Sequence, residues 1–277
     1  MLAFAQARGM SLGRVALEYE STLLGLSPDE ILAETVRRFE VMRNSVMRGL
    51  DPNTPPLKLL QPSAGQVMQA ESAKRLVLGG IHTRAAARAL AVMHVNGSGG
   101  IVCAAPTAGS AGVIPGVLVT LVAELGLEQS QVALALLAAS IIGVIVATRA
   151  TFAAEVAGCQ VEIGAAGAMA AAAIVDAAGG NAKQAMDAAA IAFQNCMGLV
   201  CDPVQGRVEI PCHTRNAAAA GSAFICADLA MGGYVNPISL DETIDAVYAV
   251  GQMMPSELRC TARGGLAVTP SALAMQA

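Results

Sequence analysis

The chain has 277 residues, of which 55% are hydrophobic and 14% charged; it has no Trp and a net charge of −4. A chain this long buries roughly 75% of its unfolded surface, so it needs no disulfide or metal staple to fold as one large domain. So apolar and mildly acidic a composition excludes a disordered or nucleic-acid-binding chain and implies that part of the outer surface is buried against another subunit.

The N-terminal stretch MLAFAQARGMSLGR lacks a basic region ahead of a long apolar core, so no secretory signal is expected. Ser27-Pro28-Asp29-Glu30 reads as a capping box with Pro at the first helical position. Leu32, Val36, Phe39, Met42 and Val46 then mark one face of an amphipathic helix stopped by Gly49. Asp51 to Pro56 is a linker, which places the boundary between an N-terminal helical arm, residues 1–56, and a main body, residues 57–277.

Residues 72–95 are again helical in pattern and end at Asn96-Gly97-Ser98-Gly99-Gly100. The small-residue segment Ala105 to Gly112 follows, with Pro106 and Pro115 bracketing a turn that opens the next helix. Helices are predicted over 115–125, 129–148, 163–178, 181–198, 214–231 and 239–253, and period-two alternation is nearly absent. The expected fold is all-α, a compact bundle of long buried helices rich in Ala and Gly. Val132 to Thr148 and Ala165 to Ala178 approach the ~17 residues of a membrane span. Arg149, Glu155 and Glu162 crowd between them, however, and no aromatic belt appears, so a soluble, cytoplasmic chain is expected.

Seven cysteines at irregular spacing, without a signal sequence, argue against a disulfide framework. Cys159, Cys201 and Cys212 each sit at a helix boundary next to Gly or Pro, where converging helix ends can offer thiolates to one site. Cys196 and Cys226 lie inside helical runs and read as core fillers; Cys103 fits either role, and Cys260 lies apart near the C-terminus. The spacing of the three matches no compact zinc or ferredoxin run. The glycine-rich stretch 97–112 lacks a P-loop ending and suits a small carboxylate held by backbone N–H groups and the Thr107 and Ser110 hydroxyls.

These segments together resemble the α subunit of iron–sulfur-dependent L-serine dehydratases. The resemblance is carried by Ala105-Pro106-Thr107-Ala108-Gly109-Ser110-Ala111-Gly112, Gly158-Cys159-Gln160-Val161-Glu162-Ile163-Gly164 and Gly198 to Val204. Val208 to Cys212, Arg215-Asn216-Ala217 and Gly264-Gly265-Leu266-Ala267 extend it. It implies that Cys159, Cys201 and Cys212 hold a 4Fe-4S cluster with one iron open to the serine hydroxyl, and that Thr107, Gly109 and Ser110 bind substrate. It implies pyruvate and ammonia as products, no pyridoxal phosphate, and a β subunit supplying a Ser-His-Thr motif that this chain lacks. The general base stays unassigned. The chain departs from the family pattern at Pro62 to Gln66, at Arg149 to Phe152 and at Cys260, where the family usually has Glu. The substrate is therefore open between serine, another β-substituted amino acid, and none at all in a non-catalytic homologue.

Overall fold

The computed structural model describes residues 1–275, and it is all-α, with no strand among the described residues. Its thirteen helices, in chain order, are α1 Leu2–Arg8, α2 Leu12–Leu24, α3 Pro28–Leu50, α4 Ala64–Ser72, α5 Ile81–Gly97, α6 Val113–Leu125 and α7 Gln129–Arg149. They continue as α8 Ala154–Ala157, α9 Ile163–Ala177, α10 Ala182–Cys196, α11 Cys212–Met231, α12 Leu240–Met253 and α13 Pro270–Ala274.

The capping box at Ser27 is present. The Glu30 amide donates to the Ser27 hydroxyl at 3.3 Å, and the Glu30 carboxylate accepts from the Ser27 amide at 2.8 Å. The buried stripe of α3 is Ile31, Thr35, Phe39, Met42 and Val46, with Leu32 and Val36 only half-buried. Residues 1–24, read from the sequence without helices, form α1 and α2. The expected helix over 72–95 begins only at Ile81. Lys74, Gly79 and Gly80 have φ of 54°, 70° and 88°, a left-handed backbone that cannot continue a right-handed helix.

Helix α9 lies at the centre, packed against α6, α7, α10 and α11. Every residue from Ile163 to Val175 is buried, and most are Ala or Gly. Small side chains let the surrounding backbones come close, while larger ones such as Ile141, Ile142, Phe193 and Leu118 fill the gaps between helices. Each of these contributes roughly 1.5–3 kcal/mol by leaving water. Helices α2 and α3 pack on α7, and α3 also on α5.

Three stretches are long and apolar enough, by length and composition, to cross a membrane: Ala108–Leu125, Gln129–Arg149 and Cys159–Ala177. Within the fold 67%, 61% and 89% of them is buried, so most of their apolar surface is already covered by protein.

Candidate metal centre

The segments carrying Cys159 and Cys201 are sewn together by one buried side chain. Gly158, with φ of 76°, turns the chain into a 3-10 turn over Cys159–Val161 ahead of α9. Gln160 is fully buried. Its amide donates to the Leu199 carbonyl at 3.1 Å, and its side chain donates to Ala157 at 2.8 Å and accepts from the Gly198 amide at 2.9 Å. Helix α10 ends at Cys196, so Cys201 lies beyond it on an extended segment, bridged to Arg259.

Cys212 opens α11, and the next turn of that helix ties it to the other segments. Arg215 donates to the Val200 carbonyl and to the Asp202 carboxylate, both at 2.8 Å, so it grips the residues on either side of Cys201. The other Asp202 oxygen accepts from the Leu266 amide at 2.7 Å. A Cβ on Gly265 would fall 2.3 Å from that oxygen, and φ there is 58°, so only glycine fits. Asn216, fully buried, donates to the Cys212 and Gly109 carbonyls at 2.9 and 2.8 Å and accepts from Gly112 at 3.0 Å. The turn after Pro106 is thereby fastened to the same helix end.

The Sγ atoms of Cys159 and Cys201 and a carboxylate oxygen of Glu162 all lie within 4.8 Å of one another. Cys159, Cys201 and Cys212 are 1%, 3% and 7% exposed, so any charge they carry is nearly dry. The hydrogen bond from Cys201 holds the Cys159 thiol below its ordinary value, and Cys201, the donor, is pushed far above its own. A bound cation would favour both as thiolates. Cys212 is raised to about 12, first by burial and then by the negative charge at Cys159, with Arg215 acting in the opposite sense. Cys212 lies outside the group of Cys159, Cys201 and Glu162 whose ligand atoms meet within 4.8 Å.

Thr107 donates its hydroxyl to Glu162, and its own amide and hydroxyl meet the Ser110 hydroxyl at 3.3 and 3.1 Å. Ser110 is fully buried, and its hydroxyl serves the turn itself. At Gly109 an added Cβ would sit 2.5 Å from a Glu162 oxygen. Glu162 also approaches the Cys159 thiol at 3.9 Å, and burial, partly offset by Thr107, raises its pKa. It therefore joins the thiols to the 107–110 turn. Sequence reasoning gave Glu162 and Gln160 no role. The available signal was two polar residues, one and three positions after Cys159, at the head of an otherwise Ala- and Gly-rich run.

Other candidates lie elsewhere. Arg149 forms a two-pronged ion pair with Asp245 on α12 and reaches Asp241 at 3.6 Å, which makes it a partly solvated helix end. Cys226 is buried in the core and Cys196 half-buried, each raised to about 11 by burial. His213 is buried with Nε2 unpartnered and its pKa lowered to about 4 by desolvation, so near neutral pH it offers no cation to a carboxylate. A cavity of about 450 Å³ lined by Arg38, Cys103, Pro106 and Phe152, among others, includes none of Cys159, Cys201 and Cys212.

Residues 7–267 match the family model described as "Serine dehydratase alpha chain". The chain is 38% identical to the probable L-serine dehydratase alpha chain of Bacillus subtilis, over 98% of this chain and 90% of that one. It is 36% identical to the L-serine dehydratase alpha chain of Peptoniphilus asaccharolyticus, over 94% and 89%. It is also 34% identical to L-serine dehydratase TdcG of Escherichia coli, over 97% of this chain but only 60% of that longer protein. The chain belongs to the serine dehydratase alpha chain family.

Proposed function

We propose that this chain is the cluster-bearing half of an L-serine dehydratase, eliminating water from L-serine to give pyruvate and ammonia. The observation that carries the reading is the meeting of Cys159 and Cys201 with Glu162, which is itself hydrogen-bonded to Thr107 of the small-residue turn. Soft, buried thiols drawn from separate segments are the donor set that iron–sulfur clusters take; Cys159 and Cys201 supply two of them, and Cys212, buried at the head of α11, would be the third ligand of a 4Fe-4S cluster. When bound, the cluster supplies a Lewis acid for the leaving hydroxyl.

The chain's own residues do the rest. The 107–110 turn, held in shape by Ser110 and Asn216, presents Thr107 and the backbone at Gly109 to the amino-acid carboxylate. Glu162, raised by burial, holds or releases a proton at its carboxylate between that turn and the thiols. Arg215 and Asp202 keep the Cys201 segment in place. The alpha-chain names of the relatives support a β partner that completes the substrate site, and the burial of most of the three apolar stretches supports a soluble complex.

Anaerobic reconstitution tests the centre: about four iron and four sulfide per chain are expected, as for one 4Fe-4S cluster. Cys201→Ala is expected to lose iron and turnover together; a full cluster in that variant overturns the ligand set. Pyruvate release from L-serine, with and without a co-expressed β chain, tests the activity. No pyruvate with the partner present overturns the serine reading.

A further inference from the structure

Cys260 lies against the thiol cluster without belonging to the proposed ligand set. Its amide donates to the Cys201 carbonyl at 2.8 Å, and the Cys201 amide donates to Leu258 at 2.8 Å. Residues 258–260 and Cys201 therefore run side by side across a parallel bridge. Both thiols are free. They differ in access: Cys201 is 3% exposed, whereas Cys260 is open to solvent. Cys159 also contacts Cys201, but it is 1% exposed and meets no dissolved oxidant.

We propose that Cys201 and Cys260 form a reversible oxidation site, a dithiol that closes to a disulfide in the metal-free chain and withdraws Cys201 from the centre. A hydroperoxide such as hydrogen peroxide is the oxidant. Its O–O bond breaks as the exposed Cys260 sulfur takes one oxygen and becomes a sulfenic acid, and the other oxygen leaves as water. The Cys201 sulfur then attacks the Cys260 sulfur, so the S–S bond forms and the S–O bond breaks. The leaving hydroxide takes the Cys201 proton as a second water. Together the thiols lose two electrons and the peroxide gains them. A dithiol reductant reverses the closure. The Cys260 amide bonded to the Cys201 carbonyl holds the two residues side by side before oxidation. The link itself does not depend on iron; only its effect on the centre rests on the proposed ligand set.

The full chain, stripped of iron by a chelator, is treated with one equivalent of hydrogen peroxide, alkylated in denaturant and digested with trypsin. Two fewer free thiols than the seven of the reduced chain are expected. The linked pair is expected to join the peptide 184–207 to Cys260-Thr261-Ala262-Arg263, with fragmentation placing the bond at Cys201 and not Cys196. Dithiothreitol is expected to restore all seven thiols. A Cys159–Cys201 link, or Cys260 recovered as a sulfonic acid with Cys201 alkylated, overturns the proposal. Cys260→Ser separates cause from side effect. After the same treatment, anaerobic iron uptake is expected to fall several-fold in the unsubstituted chain until it is reduced, and to hold in Cys260→Ser. Equal loss in both overturns the proposal. A mapped Cys201–Cys260 bond with undiminished iron uptake upholds the oxidation site and instead removes Cys201 from the ligand set.

Discussion

At the residue scale, the buried Asp202 and the half-buried Glu162 are balanced by different partners, and their mutants should fail differently. Asp202 is matched by the Arg215 guanidinium at 2.8 Å and by the Leu266 amide. Asp202→Ala strands that partly buried cation and should cost about 3–5 kcal/mol of folding stability, read from urea melts. Glu162 is matched only by a hydroxyl and neighbouring thiols, so its surroundings favour the protonated form. In Gly109→Ala the new Cβ presses on the free end of the Glu162 side chain. That end can swing away, so stability should change by no more than about 1 kcal/mol. Loss of the Thr107 contact should lower pyruvate formation several-fold at unchanged iron content. Cys159, Cys201 and Cys212 were legible as candidates because each stands at a helix boundary by Gly or Pro; that Cys159 and Cys201 meet was not. Glu162 was not, because nothing local distinguishes a carboxylate aimed at a thiol from one aimed at water.

At the element scale, the docking of α2 on the central helix hangs on one acid. The Gly13 amide, at the start of α2, donates to Asp176 near the end of α9 at 2.7 Å. Burial outweighs that bond and raises the Asp176 pKa above 3.8. The folded state therefore binds this proton more tightly than the unfolded chain does. The resulting stability is fully present below pH 3.8 and is lost as pH rises through the folded value. Asp176→Asn removes that dependence. The stability of Asp176→Asn relative to the unsubstituted chain, from melts at stepped pH, should rise with pH across this window; a flat difference would count against the shift. Most helices were readable from capping residues and glycine stops, as at Ser27 and at Gly126, where α6 ends with φ of 65°. The break between α4 and α5 was not, because residues 72–80 keep enough apolar character to look periodic while three left-handed residues interrupt the backbone.

At the scale of the whole molecule, residues 1–56 share a core with the rest. Gly49 of α3 sits so close to α5 that an added Cβ would fall 2.0 Å from the Ala91 carbonyl, and Met42 and Phe39 are buried in the common cluster. Removing residues 1–56 would bare apolar faces of α5 and α7. The shortened chain should lose its cooperative thermal transition and aggregate, as seen by circular dichroism and light scattering. A sharp melt from the shortened chain would show that the first 56 residues fold apart from the body.

The sequence by itself determined the all-α class, most helix boundaries and which cysteines stand at turns. Those properties follow from propensity, capping and hydrophobic period, all of which act over a few residues. Only the tertiary structure decided that Cys159 meets Cys201, that Glu162 faces Thr107, and that the Cys260 amide bonds to the Cys201 carbonyl. These contacts join residues far apart along the chain. They are set by buried connectors such as Gln160, Arg215 and Asn216, whose unpaired polar groups would cost about 1–3 kcal/mol each once dry. That penalty exists only in the packed molecule, so no local pattern could have announced it.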